Sequence, residues 1–423
     1  MNVLIVGAGI SGIMTAYFLS RSGCKVTVVE REAGAADSTS FGNGGVMGCT
    51  QVEPWAQPGL PLNLVKWIGR ESSPVLVRPS QIPKIMDWGR RFLARCNEAA
   101  MREGVETNVR LTLFSLAQFE KLRESEGMSG AEYDLSRVGA YKLFFTENAF
   151  AHARQSADFL HALGVEVEAL SPATACTREP ALRQIADTLA GVLAFPKEEI
   201  GDCRKFTRWM ADRLAMSGVA FHYGTEVKAF RRERNRVIAA NTTSGEIEAD
   251  AYVVAQASHT PFLLKPLGIR VPIIPIKGVS ITVPAHPWKG ALSSAVIDHS
   301  RIFGLIRIGE RLRVSGSAEV TGYDTVPSPV RCKALTDKVL EIFPEFQACL
   351  DAGEPLLWAG LRGNTPDGVP ILGNTPLVNL FLNAGHGPEG WSTSCGSARL
   401  VAAAVVGEKP PIDMAGLEQS RFQ

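Results

Sequence analysis

The sequence predicts an α/β fold in which a parallel-sheet nucleotide-binding domain is interleaved with an α+β domain carrying an antiparallel sheet. Three observations predict it. The chain opens with an apolar run at residues 3–6, glycines at G-x-G-x-x-G spacing, and a second apolar run at 26–29. Between residues 273 and 320 the texture changes to alternating strands such as VSITV, RIFGLIRIG and RLRVSGSAEV, antiparallel in character. From Trp358 onward, glycine-rich loops, the strand NLFLNAG and a small-residue helix return to the pattern of the first domain. At 423 residues the chain exceeds one ordinary core, so two domains are expected.

Each part of the opening stretch has a physical task. Gly7 permits the tight turn, Gly9 lets backbone approach a pyrophosphate, and Gly12 lets helix and strand pack closely. The helix that follows points bare N–H groups and a partial positive charge at that pyrophosphate. Glu30, at the end of the second run, is placed to accept hydrogen bonds from ribose hydroxyls, which favours FAD or NAD over NADP.

Composition narrows the class. A formal net charge of +1 gives no bulk attraction to nucleic acid or anionic lipid. The eight cysteines show neither C-x-x-C pairs nor metal spacing and read as reduced thiols of a cytoplasmic protein, so no metal site is expected. The apolar N-terminus lacks the basic region and cleavage site of a signal peptide. No run of some twenty apolar residues predicts a spanning helix, which leaves peripheral contact with the inner membrane face open.

Taken in order, the glycine-rich segment ADSTSFGNGGVMG (36–48) follows the second strand on the ligand side of the sheet, suited to close backbone approach to a flat ring. PWAQPGLP (54–61) is too proline-rich for a helix or central strand. Residues 75–126 have helical spacing and belong to the second domain. A strand is expected at 139–145, a helix at 151–163 stopped by Gly164, and a helix–strand unit from Cys203 to Val227. Residues 237–241 and 246–249 read as a hairpin around Ser244 and Gly245. The buried strand 251–255 ends at a small-residue loop beside Ser258, where an open α/β sheet faces its ligand. One more helix precedes Phe343. The expected division is residues 1–50, 195–268 and 355–423 in the nucleotide-binding domain, and 51–194 and 269–354 in the substrate domain.

With TSFGNGG, PWAQPG, EEIGDC, PIKG, WAGLRGNTPDGVPILG and NAGHGPEGW followed by CGS in this order, the chain resembles the D-amino-acid dehydrogenase branch of the glycine oxidase and D-amino-acid oxidase superfamily along essentially its whole length. The resemblance implies a glutathione-reductase-type fold with a Rossmann domain, non-covalent FAD, and oxidation of an amine at the flavin. It implies that Gly7, Gly9, Gly12 and Glu30 hold the ADP half and that Val227 offers its backbone to the adenine. Thr39, Ser40, Asn43, Gly44 and Gly45 would lie along the pyrophosphate and isoalloxazine edge, and Gly385, His386 and Gly387 would approach the ring. Arg31, Val46, Gly360 and Gly390 are assigned to the cofactor as well.

Arg362 matches the arginine that binds substrate carboxylate in glycine oxidases, and its two parallel N–H donors suit that task. The competing reading pairs it with Asp367 in its own turn. Pro388 suits a first helical position, and a helix starting there would aim its positive end at the flavin. His386 either adds a hydrogen bond to the flavin or makes a structural one. Lys277 reads as solvent-facing at a strand end, and Cys203 and Cys395 as packing. The family pattern GHGTLGW is here GHGPEGW, no second arginine lies near Pro388, and Gly363 replaces a usual proline. Glu389, with Glu53, is therefore a candidate for recognising a cationic or hydroxyl-bearing part of the substrate; the alternative makes Glu389 a first-turn acid of the tail helix.

The implied reaction is oxidative deamination of a D-amino acid, with no general base required and electrons passed to a quinone or another acceptor. Oxidation of hydroxy-D-proline or an opine fits the same motifs. From other classes, a nicotinamide enzyme or an accessory flavin subunit remains in play.

Overall fold

The computed structural model describes residues 1–61, 67–71, 73 and 75–423. A six-stranded sheet runs in the order Ile371–Asn374, Leu380–Ala384, Ala251–Val254, Asn2–Val6, Lys25–Val29, Ala220–His222. It is parallel except at Ile371–Asn374, which pairs antiparallel with its neighbour. The opening strand shows why its apolar run is unbroken. Val3 and Ile5 pack into the core under the helices, whereas Leu4 and Val6 pack into a second core on the opposite face. Side chains alternate across a strand, so a sheet covered on both sides needs apolar residues at every position.

Helices Ile10–Arg21, Cys203–Met216 and Ser394–Val406 contribute to the first of these cores. The other face carries the three-stranded sheet Val227–Glu233, Arg236–Thr242, Gly245–Ile247, which contains the expected hairpin. The 29-residue helix Glu98–Glu126 also joins the first core through Leu111, Phe119 and Leu122. Asn97 caps its start by accepting from Ala100 N at 3.0 Å, and Gly127 ends it in the left-handed region at φ +62°. Gly396 lets the tail helix approach closely: an added Cβ would meet Ser115, whose hydroxyl accepts from Gly396 N at 3.0 Å.

A nine-stranded, mainly antiparallel sheet forms the second layer, as its alternating texture predicts. Its long strand Ile274–Pro284 lies between Leu356–Asn364 and Arg311–Val320 and is buried almost throughout. Strand Leu356–Asn364 leads from this sheet into Ile371–Asn374 of the first, so Arg362 stands where the two layers meet.

Two local expectations are corrected. Residues 75–126 are not helical from their start: Val75–Val77 is a strand beside Ala318–Val320, and a 3₁₀ turn at Pro79–Ile85 precedes the helix Met86–Arg95. Pro79 and Pro83 lack the N–H groups an α-helix needs there. Lys277 is buried, because its strand is central, and its ammonium lies 3.3 Å from Glu319 and 2.7 Å from Asp324. Pro54–Gly59 is irregular, with helix beginning at Leu60.

Candidate functional site

At the carboxyl ends of the parallel strands lies an open cavity, about 950 Å³ when the solvent space at its mouth is included. Gly7, at φ +109°, turns the chain out of the first strand while its N–H donates to Val29 O at 2.8 Å. Gly12 sits against that turn, where an added Cβ would run into Gly7 O, so the glycine spacing is a steric requirement. The N-cap of the following helix is Gly9, which offers no side chain of its own to the first turn. Ser40 Oγ accepts from Ile10 N at 3.1 Å.

Glu30 is oriented by backbone, accepting from Ala8 N at 2.6 Å and Glu32 N at 2.9 Å. Burial raises its pKa and these two N–H groups counter the rise, while the carboxyl lines the cavity. The segment after Glu30 is pinned to the second sheet. Thr39 Oγ1 donates to Leu361 O at 2.9 Å, and Arg313 donates to Asn43 O at 2.8 Å. Asn43 Oδ1 in turn accepts from Gly45 N at 2.9 Å.

One cavity brings together Gly7, Gly9, Glu30, Arg31, Thr39, Ser40, Val227, Arg362, His386, Gly387 and Gly390. Gly12, Asn43, Gly44, Gly45, Val46 and Gly360 are not in its lining. Gly44 faces Ser315, Gly45 faces Ile308, Val46 pairs with Ile200, and Gly360 lies under Trp358. Gly385, Glu53 and Glu389 line a second, much narrower pocket, with space for about one water as it stands, which shares Gly387 with the first.

Arg362 occupies the second sheet's contribution to the cavity. Its guanidinium lies over Gly278, where any Cβ would collide with it, and donates to Ser317 O at 3.2 Å. It has no carboxylate partner among the described residues. Asp367, the candidate partner in its own turn, is taken by Arg421 at 2.8 Å. Burial pushes the Arg362 pKa down to about 10, which leaves it a cation at neutral pH.

The tail loop differs from expectation. The α-helix begins at Ser394, and Pro388 opens only a 3₁₀ turn, Gly387–Glu389. Hydrogen bonds hold the intervening loop in place of helix: the single Thr393 hydroxyl proton is shared between Glu389 O at 2.8 Å and His386 Nδ1 at 3.1 Å, both acceptors. Glu389 is therefore not a first-turn acid of the tail helix. His386 makes structural bonds through both ring nitrogens, the second to Asn383 Oδ1 at 2.8 Å. Asn383 Nδ2 donates to Thr15 Oγ1 at 2.9 Å, which fixes Oδ1 as the acceptor and His386 Nε2 as the protonated nitrogen. Burial lowers the His386 pKa to about 4, so the ring is neutral.

Asp37, Thr225, Gln256 and His259 also line the cavity without having been singled out in the sequence. The strand-end rule at Ser258 pointed to the loop that contains two of them. Lys142 and Glu198 near the second pocket were missed too; EEIGDC carries Glu198, but nothing local shows that it is buried.

Fold and cavity together define a two-layer protein of the dinucleotide-binding class. The chain belongs to the family described as FAD dependent oxidoreductase, whose profile matches residues 2–404. It is 40% identical to the D-amino acid dehydrogenase of Paramagnetospirillum magneticum over all of this chain and 99% of that protein, and 40% identical to that of Xanthobacter autotrophicus with the same coverage. Among solved structures it is similar to glycine oxidase from Geobacillus kaustophilus, with TM-score 0.76 and 23% identity over 99% of this chain and 98% of that one. It is also similar to L-proline dehydrogenase from P. horikoshii, with TM-score 0.75 and 20% identity over 100% of this chain and 97% of that one. These likenesses establish the fold. The glycine cradle, the oriented Glu30 carboxyl and the cavity's extent fit FAD.

Proposed function

We propose that the chain catalyses oxidative deamination of a D-amino acid, passing the electrons to a quinone or another acceptor. The observation that carries this reading is the guanidinium of Arg362, a cation with no carboxylate partner among the described residues, in the cavity that begins at the glycine fingerprint. A desolvated, unpaired cation is costly to hold, and a ligand carboxylate relieves that cost through two parallel charge-assisted bonds. The full-length similarity to D-amino acid dehydrogenases supports the same choice of substrate.

When bound, FAD supplies a two-electron acceptor for the hydrogen on the substrate α-carbon. The chain's own part is placement. Gly7 and Gly9 give backbone access to the pyrophosphate, Glu30 receives the ribose hydroxyls, and Arg362 anchors the carboxylate. His386 holds its ring proton at Nε2 for Asn383 and does not serve as a base. The substrate enters with its amine unprotonated, and the imino acid product hydrolyses in water to a keto acid and ammonia.

No helix among the described residues is long and apolar enough to cross a membrane. The acceptor, and a cytoplasmic setting at the inner membrane face, belong to the same proposal.

Anaerobic mixing of the purified holoenzyme with D- and L-amino acids tests it. D-amino acids are expected to bleach the flavin. Arg362→Ala is expected to keep its FAD while losing on the order of 100-fold or more in kcat/KM, since both charge-assisted bonds go with the guanidinium. A flavin that stays oxidised with every D-amino acid would overturn the proposal, and would equally fit an accessory subunit.

A further inference from the structure

Across the turn at Gly387 lies the second pocket, walled by Pro54, Trp55, Trp88, Phe92 and Pro388. Trp88 and Phe92 stack with centroids 4.8 Å apart, and the Trp88 indole N–H is already used by Asn364 O at 3.0 Å. What these rings have left to offer a ligand is apolar surface and π faces. Two carboxyl groups share the lining, Glu53 and Glu389. Glu53 is bound to the buried Lys142 at 3.1 Å. Glu389 is only 7% exposed; Ser392 offers its carboxyl a hydrogen bond, while Oε2 has no hydrogen-bond partner among the described residues. An orphan carboxyl oxygen in such a place costs free energy until a donor meets it. An aliphatic side chain filling the pocket would leave it orphaned. A cation would satisfy both features, because aromatic faces and carboxylates each attract positive charge.

We propose that this pocket is the subsite for a cationic side-chain terminus, a guanidinium or ammonium group, which bonds to Glu389 and rests against the aromatic walls. The inference rests on the proposed function: the substrate carboxylate sits at Arg362, and the side chain passes Gly387, the residue both cavities share. The preferred substrates are then basic D-amino acids.

The charged and titratable surroundings of Glu389 make binding pH-dependent. Glu198, accepting from Cys49 N at 2.6 Å, repels a second negative charge, while Lys142 attracts one. Glu53 and His299 lie beside Lys142, and the Cys49 thiol faces Glu198 and Glu389. Burial, reinforced by Glu198, lifts the Glu389 pKa to about 8, so the empty subsite holds a proton at neutral pH. An arriving cation displaces that proton to buffer, and binding tightens as pH rises towards 8.

The test uses the holoenzyme in anaerobic flavin reduction with D-arginine, D-lysine and the neutral D-methionine. Glu389→Gln mimics the protonated form that the empty site holds, so the fold is expected to survive, with FAD content and D-methionine turnover as the check. The ratio of kcat/KM for D-arginine to that for D-methionine is expected to fall on the order of 10- to 100-fold in the variant. In the wild type, KM for D-arginine is expected to drop from pH 6 to 8 more than KM for D-methionine, and Glu389→Gln should abolish that difference. An unchanged ratio, or a pH trend shared by both substrates, would overturn the subsite while leaving the proposed function standing. Should the variant fail to fold, the wild-type pH comparison decides alone. If no D-amino acid reduces the wild-type flavin, the proposed function falls and the subsite with it.

Discussion

Glu389 and His386, three residues apart, are pushed by burial in opposite directions, and both keep a neutral form. For Glu389 the folded protein holds a proton up to about pH 8, whereas a glutamate in the unfolded chain loses it near 4.5. Between those limits folding takes up a proton, so stability falls as pH rises through the window. Glu198, raised to about 7 chiefly by burial, acts with the same sign. His386 acts oppositely: it excludes a proton the unfolded chain binds, and stability is lost as pH falls from 6.5 towards 4. Thermal denaturation of holoenzyme should therefore show Glu389→Gln gaining on the wild type between pH 5 and 8, by on the order of a few kcal/mol at the upper end. A gap that does not change with pH would mean that Glu389 is already ionised.

At the scale of elements, the pairing of Ile274–Pro284 with Leu356–Asn364 decides where the substrate is anchored. Arg362 lies opposite Ile276 in register and lays its guanidinium across Gly278 on the same long strand. The bulge between Lys277 and Val279 faces Ser317, which adopts φ +64° and presents the carbonyl that Arg362 bonds. Gly278→Ala would place a methyl where the guanidinium now lies, and a flexible side chain yields before a strand does. That variant should keep its FAD while KM rises about 10- to 100-fold, the cost of a misplacement near 1 Å. Steady-state kinetics beside flavin absorbance would measure it; an unchanged KM would show that Arg362 does not need this seat. A substitution at Gly12 has no such outlet, since its added Cβ meets backbone.

For the whole molecule, the cofactor cavity is where distant stretches of chain meet, among them the first forty residues, the loop after Ala251–Val254, and the segment from Arg362 to Gly390. A ligand that binds only this assembled form stabilises it by mass action, by about 2.7 kcal/mol at a hundred times its Kd. The Tm of FAD-stripped protein should therefore climb with added FAD, and amide exchange should slow together in residues 36–45 and 386–393. A Tm that ignores FAD, or protection in only one of the two segments, would contradict a site built from all three.

The sequence by itself determined the glycine turn, the Glu30 position, the two-sided burial of the first strand, the antiparallel texture of the second sheet and, through ordered motifs, the flavin family. These depend on backbone geometry within some thirty residues, or on alternation along a single strand. The tertiary structure alone decided that Asp367 is claimed by Arg421, which leaves Arg362 unpaired by carboxylate, that Lys277 is buried between acids, and that the tail helix starts at Ser394. It also decided that Glu389 shares its surroundings with Glu198 and Lys142. Burial and ion pairing depend on which distant segments the fold brings together, and no local pattern encodes that.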